Sequence, residues 1–135
     1  MEYIHTLHSI VYRDIKPENV MVDDRGYLKL IDMGTAKTLK SQSGKIMNYI
    51  KGESNKTFTI IGTPHYMAPE VISGKGYNYM ADLWSVGVCF YEFICGGLPF
   101  GEEAEDPFDI YQDIIKKSIT YPSYMADKTA KSLIE

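Results

Sequence analysis

Two polar stretches of the sequence contain side chains that could handle a phosphate group and a metal ion. In residues 12–19, the carboxylate of Asp14, the ammonium of Lys16 and the amide of Asn19 lie within six positions. A second acidic turn follows at residues 32–34. Phosphoryl transfer requires an oriented nucleophile, magnesium and neutralised phosphate charge, and little covalent work by the protein. These are the residue types that such a reaction needs.

Each of these side chains can be given a role. Asp14 could accept or orient the proton of a substrate hydroxyl, and Lys16 could reach the transferring phosphate. Asn19 and Asp32 offer the hard oxygen ligands that magnesium prefers. Gly34 would let the backbone turn sharply directly after the metal ligand. Taken alone, Asp32 could equally be a solvated aspartate in a turn.

A β-hairpin is predicted to bring the two stretches together. Residues 20–22 and 27–31 are strand-like, and the connector 23–26 ends in a glycine able to take a positive φ. Asn19 and Asp32 flank the open ends of this hairpin, so we expect them to lie near one another.

The rest of the pattern is mostly helical. Residues 1–7 have helical spacing without a capping residue, and 69–72 form a short helix. The segment 80–95 is apolar on nearly all sides and is predicted to be a buried helix. Asp106-Pro107 begins another helix, and Asp127 caps a last one. The predicted fold class is α+β, mainly helical with a small β-hairpin.

Composition limits the functional classes. The chain has 135 residues, 44% of them hydrophobic, and a net charge of -4, which fits a globular domain or part of one and disfavours nucleic-acid binding. No signal peptide is recognisable, and the apolar run 83–100 is too short and interrupted for a membrane span. Cys89 and Cys95 lie in that run, as expected for core thiols of a reducing, cytoplasmic compartment.

Four motifs in order resemble a protein kinase. Residues 12–19 match the catalytic loop, and residues 32–34 resemble the Asp-Phe-Gly turn with methionine in the place of phenylalanine. Residues 68–70 match the Ala-Pro-Glu signature, and 82–87 are similar to the start of the large buried helix of the kinase C-lobe. Each motif is weak alone, but together they span essentially the whole chain.

The resemblance extends to a subfamily. Tyr12, where many kinases have histidine, and Gly62-Thr63-Pro64 before Tyr66 look like the AGC-type serine/threonine kinases. The run 105–111 resembles the cGMP-dependent kinases more than the cAMP-dependent ones. By this likeness the cofactors are ATP and Mg²⁺, and the partners are proteins with a serine or threonine near basic residues.

Site roles are implied by the same likeness. The expected ATP-binding set is Lys16, Glu18, Asn19, Met21 and Asp32. Thr59 falls at the activation-loop phosphosite, with Arg13 and Lys37 as its cationic partners; it could instead be one hydroxyl of a Thr-rich loop. Met21 would form the floor under adenine, although in isolation such a residue is more often plain core.

The resemblance also implies substrate contacts. Thr63 would hydrogen-bond near Asp14 and Lys16. Glu18 and Glu92 match carboxylates that recognise basic substrate residues; a buried ion pair is the alternative for Glu92.

Five positions would have structural roles. Tyr12 and Met33 would stack in the column joining the kinase lobes, and Asp82 would anchor its base. Gly34 would serve the turn after the metal ligand, and Glu70 would lack its usual arginine partner, expected beyond residue 135.

Several departures qualify the resemblance. His65 stands where related kinases often have glutamate, so one basic-substrate contact would be lost. The activation segment, about residues 32–70, has an apparent insertion at 41–55 with a positive bias. No glycine-rich loop or strand lysine precedes the catalytic loop, so the N-lobe is expected to be absent from residues 1–135 and the isolated chain inactive. The alternative is a truncated or pseudokinase-like interaction module without catalysis; a cyclic-nucleotide-binding regulatory region is expected elsewhere in the intact protein.

Overall fold

Two small antiparallel sheets lie in the N-terminal part of the chain. The computed structural model describes residues 1–39 and 56–135, so the predicted insertion at 41–55 lies outside the described residues. Strand β1 (Ile10–Val11) pairs with β4 (Lys37–Thr38), and β2 (Val20–Val22) pairs with β3 (Leu28–Leu30). A π-helical segment, Tyr3–Leu7, precedes β1. The β1–β4 pairing was not predicted, and it joins the chain before the catalytic loop to the chain after the acidic turn.

The predicted hairpin is present as β2 and β3. Val20 pairs with Leu30 and Val22 with Leu28. The Asp23 carboxylate accepts hydrogen bonds from the backbone N–H groups of Arg25 and Tyr27 at 3.0 and 2.9 Å. Because the Asp23 side chain accepts these backbone hydrogen bonds within the turn, residues of the turn itself determine the register of the hairpin.

Four α-helices follow the 3-10 turn at Pro64–Tyr66. Helix α1 spans Pro69–Ile72, α2 Met80–Cys95, α3 Pro107–Lys116 and α4 Lys128–Ile134. The caps predicted for α3 and α4 are present: the Asp106 carboxylate accepts from the Phe108 N–H, and Asp127 accepts from two N–H groups of the first turn. Such caps satisfy helix donors that otherwise lack partners.

Helix α2 has the predicted bounds but is less buried than predicted. One side packs into the core through residues such as Val88 and Cys89. The other side leaves Phe90 and Phe93 exposed within the described structure. The prediction that α2 is buried on nearly all sides is therefore wrong for these residues, because no described element packs over them.

The core beneath the candidate site is a cluster of apolar side chains around α2. Tyr12, Ile15, Tyr66, Val88 and Cys89 form it. Tyr12 and Ile15 belong to residues 12–19, which we call the catalytic-loop stretch after the motif that they resemble. Burial of these two apolar side chains therefore fixes the stretch to α2. None of the described helices is both long and apolar enough to cross a bilayer.

Candidate active site

Three polar side chains from two distant segments surround the carboxylate of Asp14. The hydroxyl of Thr63 donates to Asp14 Oδ1 at 2.7 Å, and Asn19 Nδ2 donates to Asp14 Oδ2 at 3.1 Å. Lys16 Nζ lies 3.2 Å from Asp14 Oδ2 and donates to the Thr63 hydroxyl at 2.8 Å. The contacts predicted for Thr63 are therefore present. Together these contacts hold the carboxylate of Asp14 in one orientation.

The backbone of the catalytic-loop stretch is held by one buried carboxylate. Asp82, 1% exposed, accepts the N–H groups of Tyr12 and Arg13, each at 2.8 Å. His5 Nε2 lies 2.8 Å from the same carboxylate. Arg13 has a φ of 74°, a costly conformation for a residue other than glycine, which persists only where surroundings enforce it. The expected anchoring by Asp82 is present, and it acts directly before Asp14.

Asn19 and Asp32 lie at neighbouring ends of the hairpin, as predicted. The Ile31 N–H donates to the Asn19 carbonyl at 3.0 Å, which places Asp32 one residue from that contact. Asn19 Nδ2 donates hydrogen bonds to Asp14. The other side-chain atom, Asn19 Oδ1, accepts no hydrogen bond from another described residue, so it could bind a metal ion. The Asp32 side chain is exposed.

These two residues fit a magnesium ion shared with a substrate phosphate. Magnesium is usually held by one or two protein oxygens plus phosphate and water oxygens. No group of three or more His, Cys, Asp or Glu side chains suited to a metal occurs in residues 1–39 or 56–135. Asn19 and Asp32 supply two protein oxygens, which is the number that a magnesium ion shared with a phosphate commonly takes from a protein.

The turn after Asp32 differs in detail from the prediction. The Ala36 N–H donates to the Met33 carbonyl at 3.0 Å, which closes a turn around Gly34. The positive φ, however, is at Asp32 (60°), and Gly34 is not in the left-handed region. A Cβ at position 34 would lie 2.9 Å from Asp32 Oδ1, so a larger residue would shift this carboxylate.

Tyr12 and Met33, which were expected to stack in one column, differ in exposure. Tyr12 is fully buried, and its hydroxyl donates to the Ile31 carbonyl. Met33 is 46% exposed and does not belong to the apolar cluster around Tyr12. The hydrogen bond to the Ile31 carbonyl fixes the tyrosine hydroxyl, and the stacking of Met33 on this ring stays a prediction.

The predicted phosphosite is exposed, but its cationic partners contact other residues. Lys37 Nζ donates to the Thr57 hydroxyl at 3.0 Å, and Arg13 Nε donates to the Thr35 carbonyl at 2.6 Å. Thr59 has an exposed side chain, and its carbonyl accepts from the Tyr77 hydroxyl at 2.6 Å. Arg13 and Lys37 thus do not contact the Thr59 hydroxyl in this structure.

Of the residues assigned to substrate and nucleotide, Glu92 is half-buried, whereas Glu18 and Met21 are exposed. Glu92 Oε2 accepts from the Tyr66 hydroxyl at 2.7 Å, and no ion pair of Glu92 or Glu70 occurs within the described residues. The alternative of a buried ion pair for Glu92 is therefore not found there. Burial, followed by the nearby Glu92 carboxylate, raises the pKa of Tyr66, so it stays a donor. Glu18 is exposed and Met21 is 54% exposed.

Sequence reasoning missed two residues that support the site. Thr57, 1% exposed, pairs its backbone with Tyr77 in an isolated antiparallel bridge. His5, also buried, contacts Asp82. The sequence does contain a signal for His5, because this histidine lies among the helically spaced apolar residues of 1–7. The Thr57–Tyr77 bridge has no local signal in the sequence.

Comparison with known proteins identifies the family of the chain. The family model described as "Protein kinase domain" matches residues 1–135. The chain belongs to the protein kinase family. It is 49% identical to a cGMP-dependent protein kinase of Plasmodium berghei and 47% identical to one of Toxoplasma gondii, each over all 135 residues. It is 42% identical to the cAMP-dependent protein kinase catalytic subunit 3 of Drosophila melanogaster, again over all 135 residues.

The kinase relatives are much longer than this chain. It spans 14% of the Plasmodium relative, 12% of the Toxoplasma relative and 20% of the Drosophila relative. Activity, substrates and partners of a whole protein therefore enter only as proposals.

Proposed function

We propose that the chain is the C-lobe segment of a serine/threonine protein kinase that transfers the ATP γ-phosphate to protein hydroxyls. The observation that carries this proposal is the bridge made by Thr63 between Asp14 and Lys16, at 2.7 and 2.8 Å. The Thr63 hydroxyl orients a proton acceptor and a cation next to one another. Phosphoryl transfer is catalysed largely by holding such groups in position.

The proposed roles follow from the side-chain chemistry. Asp14 orients the substrate hydroxyl and takes its proton, while Lys16 neutralises charge on the transferring phosphate. Asn19 and Asp32 would hold magnesium, which when bound neutralises the phosphates. Met21, exposed on β2, would contact adenine, and Glu18 would lie beside the nucleotide and the peptide. An N-lobe would complete the ATP site.

Regulation and substrate choice are proposed by likeness to the cGMP-dependent relatives. Glu18 and Glu92 would read basic residues near the phosphoacceptor. Phosphate on Thr59 would recruit Arg13 and Lys37, which requires Lys37 to leave Thr57. A cyclic-nucleotide-binding regulatory region would control the enzyme, and its location would be cytoplasmic.

Phosphate transfer to matched peptides tests this function. The longest product of the gene is incubated with ATP labelled at the γ-phosphate, Mg²⁺, and basic peptides that differ only in a Ser, Thr or Tyr acceptor. We expect label on Ser and Thr peptides, stimulation by cGMP above cAMP, and no turnover by residues 1–135 alone. Peptide binding without label transfer would instead identify a non-catalytic interaction module.

A further inference from the structure

The carboxylate of Glu102 lies directly against the backbone of Gly97. A Cβ added at position 97 would be 2.2 Å from Glu102 Oε1 and 2.8 Å from Oε2. Gly97 is not in the left-handed region of backbone space, so the closeness of Glu102, and not the backbone conformation, distinguishes this position. Any side chain at position 97 would displace the Glu102 carboxylate from this position.

This carboxylate lines a cleft at the C-terminal end of α2. The cleft has a volume of about 210 Å³, and its walls include Tyr91, Leu98 and Tyr124. Glu102 is exposed, and it has no hydrogen bond or ion pair with another described residue. A carboxylate next to a cleft and without a cationic partner is suited to bind a cation supplied by another molecule, above all the planar guanidinium of arginine.

The cleft lies close to His65 and Glu92, two positions at which the kinase resemblance places substrate contacts. His65 Nε2 lies 3.1 Å from the carbonyl of Gly101, the residue before Glu102. Along α2, the Glu92 carbonyl accepts the Gly96 N–H at 2.8 Å, so Glu92 lies one turn from the wall of the cleft. Glu92 and Glu102 therefore border the same end of the helix.

We propose that Glu102 is a specificity-determining residue that binds an arginine or lysine of the protein substrate. The proposal rests on the proposed kinase function and extends it: Glu102 is a third acidic contact beside Glu18 and Glu92. The cation it binds occupies a different substrate position from those contacted by these two residues, because Glu102 lies beyond the end of α2.

An arginine scan of peptide binding tests this directly. A fluorescent serine peptide with one arginine moved stepwise along either side of the serine is titrated without ATP into the longest product of the gene. Glu102→Gln should weaken binding about fivefold at one arginine position and leave the others unchanged, as expected for one solvent-accessible charge pair. Gly97→Ala should weaken binding at the same arginine position by a smaller factor, because the methyl group shifts the end of a flexible, exposed side chain without removing its charge.

Glu103→Gln is the matched control, since Glu103 is also exposed but does not lie against Gly97. It should bind every peptide as the wild type does. The proposal would be overturned if Glu102→Gln bound the peptides as the wild type does, or if Glu103→Gln showed an equal loss. It would also be overturned if the wild type had no preference for the position of the arginine. Selective binding that depends on Glu102 without any phosphate transfer would refute the kinase function and leave the Glu102 contact standing.

Discussion

The hydroxyl of Thr63 donates to Asp14 across 49 residues of sequence, at 2.7 Å. This bond joins the catalytic-loop stretch to the segment that leads into α1. Lys16 donates to the same hydroxyl, so one threonine side chain orients both the proposed proton acceptor and the proposed phosphate ligand. The position of the segment around Thr63 therefore determines the geometry of the proposed reaction centre.

Substitution of Thr63 tests this bridge. Thr63→Ala removes both hydrogen bonds and should lower kcat about tenfold or more, whereas Thr63→Ser keeps the hydroxyl and should retain most of the activity. Steady-state kinetics of peptide phosphorylation by the longest gene product measures the effect. Equal kcat values for the alanine variant and the wild type would show that the bridge is not needed.

Asp82 should be the most important side chain for the fold of the catalytic loop. Asp82→Ala leaves the N–H groups of Tyr12 and Arg13 and the ring of His5 without their acceptor in a buried place, which should lower the free energy of unfolding by about 3 kcal/mol or more. Urea unfolding followed by circular dichroism measures it.

Asp24→Ala is the control for this substitution, because Asp24 is an exposed turn residue. Its effect should stay within about 0.5 kcal/mol. Similar losses for the two variants would contradict the anchoring role of Asp82.

The Cys89 thiol should be unreactive in the folded protein. Burial, followed by the Glu92 and Glu18 carboxylates, raises the pKa of Cys89 to about 12. Because the thiolate is the reacting species, alkylation by iodoacetamide at pH 8 should be at least about a hundredfold slower in native protein than in urea. Peptide mass spectrometry over time measures this rate.

The same pKa shift predicts a stability trend. A pKa raised in the folded state means that the native protein holds this proton more tightly than the unfolded chain does. Its contribution to stability is therefore present below the ordinary thiol pKa of 9.0 and is lost as pH rises toward about 12. Cys89→Ala should reduce this alkaline loss. Native alkylation at the rate of the unfolded chain would contradict the burial of this thiol.

Phosphorylation of Thr59 should activate the kinase by recruiting Lys37 away from Thr57. Charge-assisted hydrogen bonds to the phosphate should raise kcat/KM about tenfold, and Lys37→Ala should remove much of that gain. Phosphorylated and unphosphorylated proteins, separated and assayed on one peptide, provide the comparison. Lys29→Ala, which alters an exposed lysine paired with Asp23, should leave the gain intact. Equal rates with and without the phosphate would refute the assignment of Thr59.

Local signals in the sequence predicted the elements that are formed locally. The bounds of α1 and α2, the caps of α3 and α4, and the hairpin follow from apolar period, capping aspartates and turn residues. The β1–β4 pairing and the Thr57–Tyr77 bridge join segments far apart in sequence, and no local pattern specifies such partners.

In the candidate site, too, the sequence predicted some contacts and not others. The resemblance predicted contacts of Thr63 with Asp14 and Lys16, and both are present. The hydrogen bond from Asn19 to Asp14 was not predicted. The position of Met33 and the positive φ of Asp32 depend on how the turn packs, which residue type alone does not determine.

Replacement of one oxygen at Asp14 tests the central claim most directly. Asp14→Asn keeps the size and polarity of the side chain but removes the proton acceptor. In the longest gene product, with labelled ATP, Mg²⁺ and a serine peptide, we predict a fall in kcat of about a hundredfold or more with peptide affinity retained. Asp113→Asn, which alters only a surface ion pair with Lys117, should keep wild-type activity. Undiminished transfer by the Asp14→Asn protein would contradict the role of Asp14 as the base.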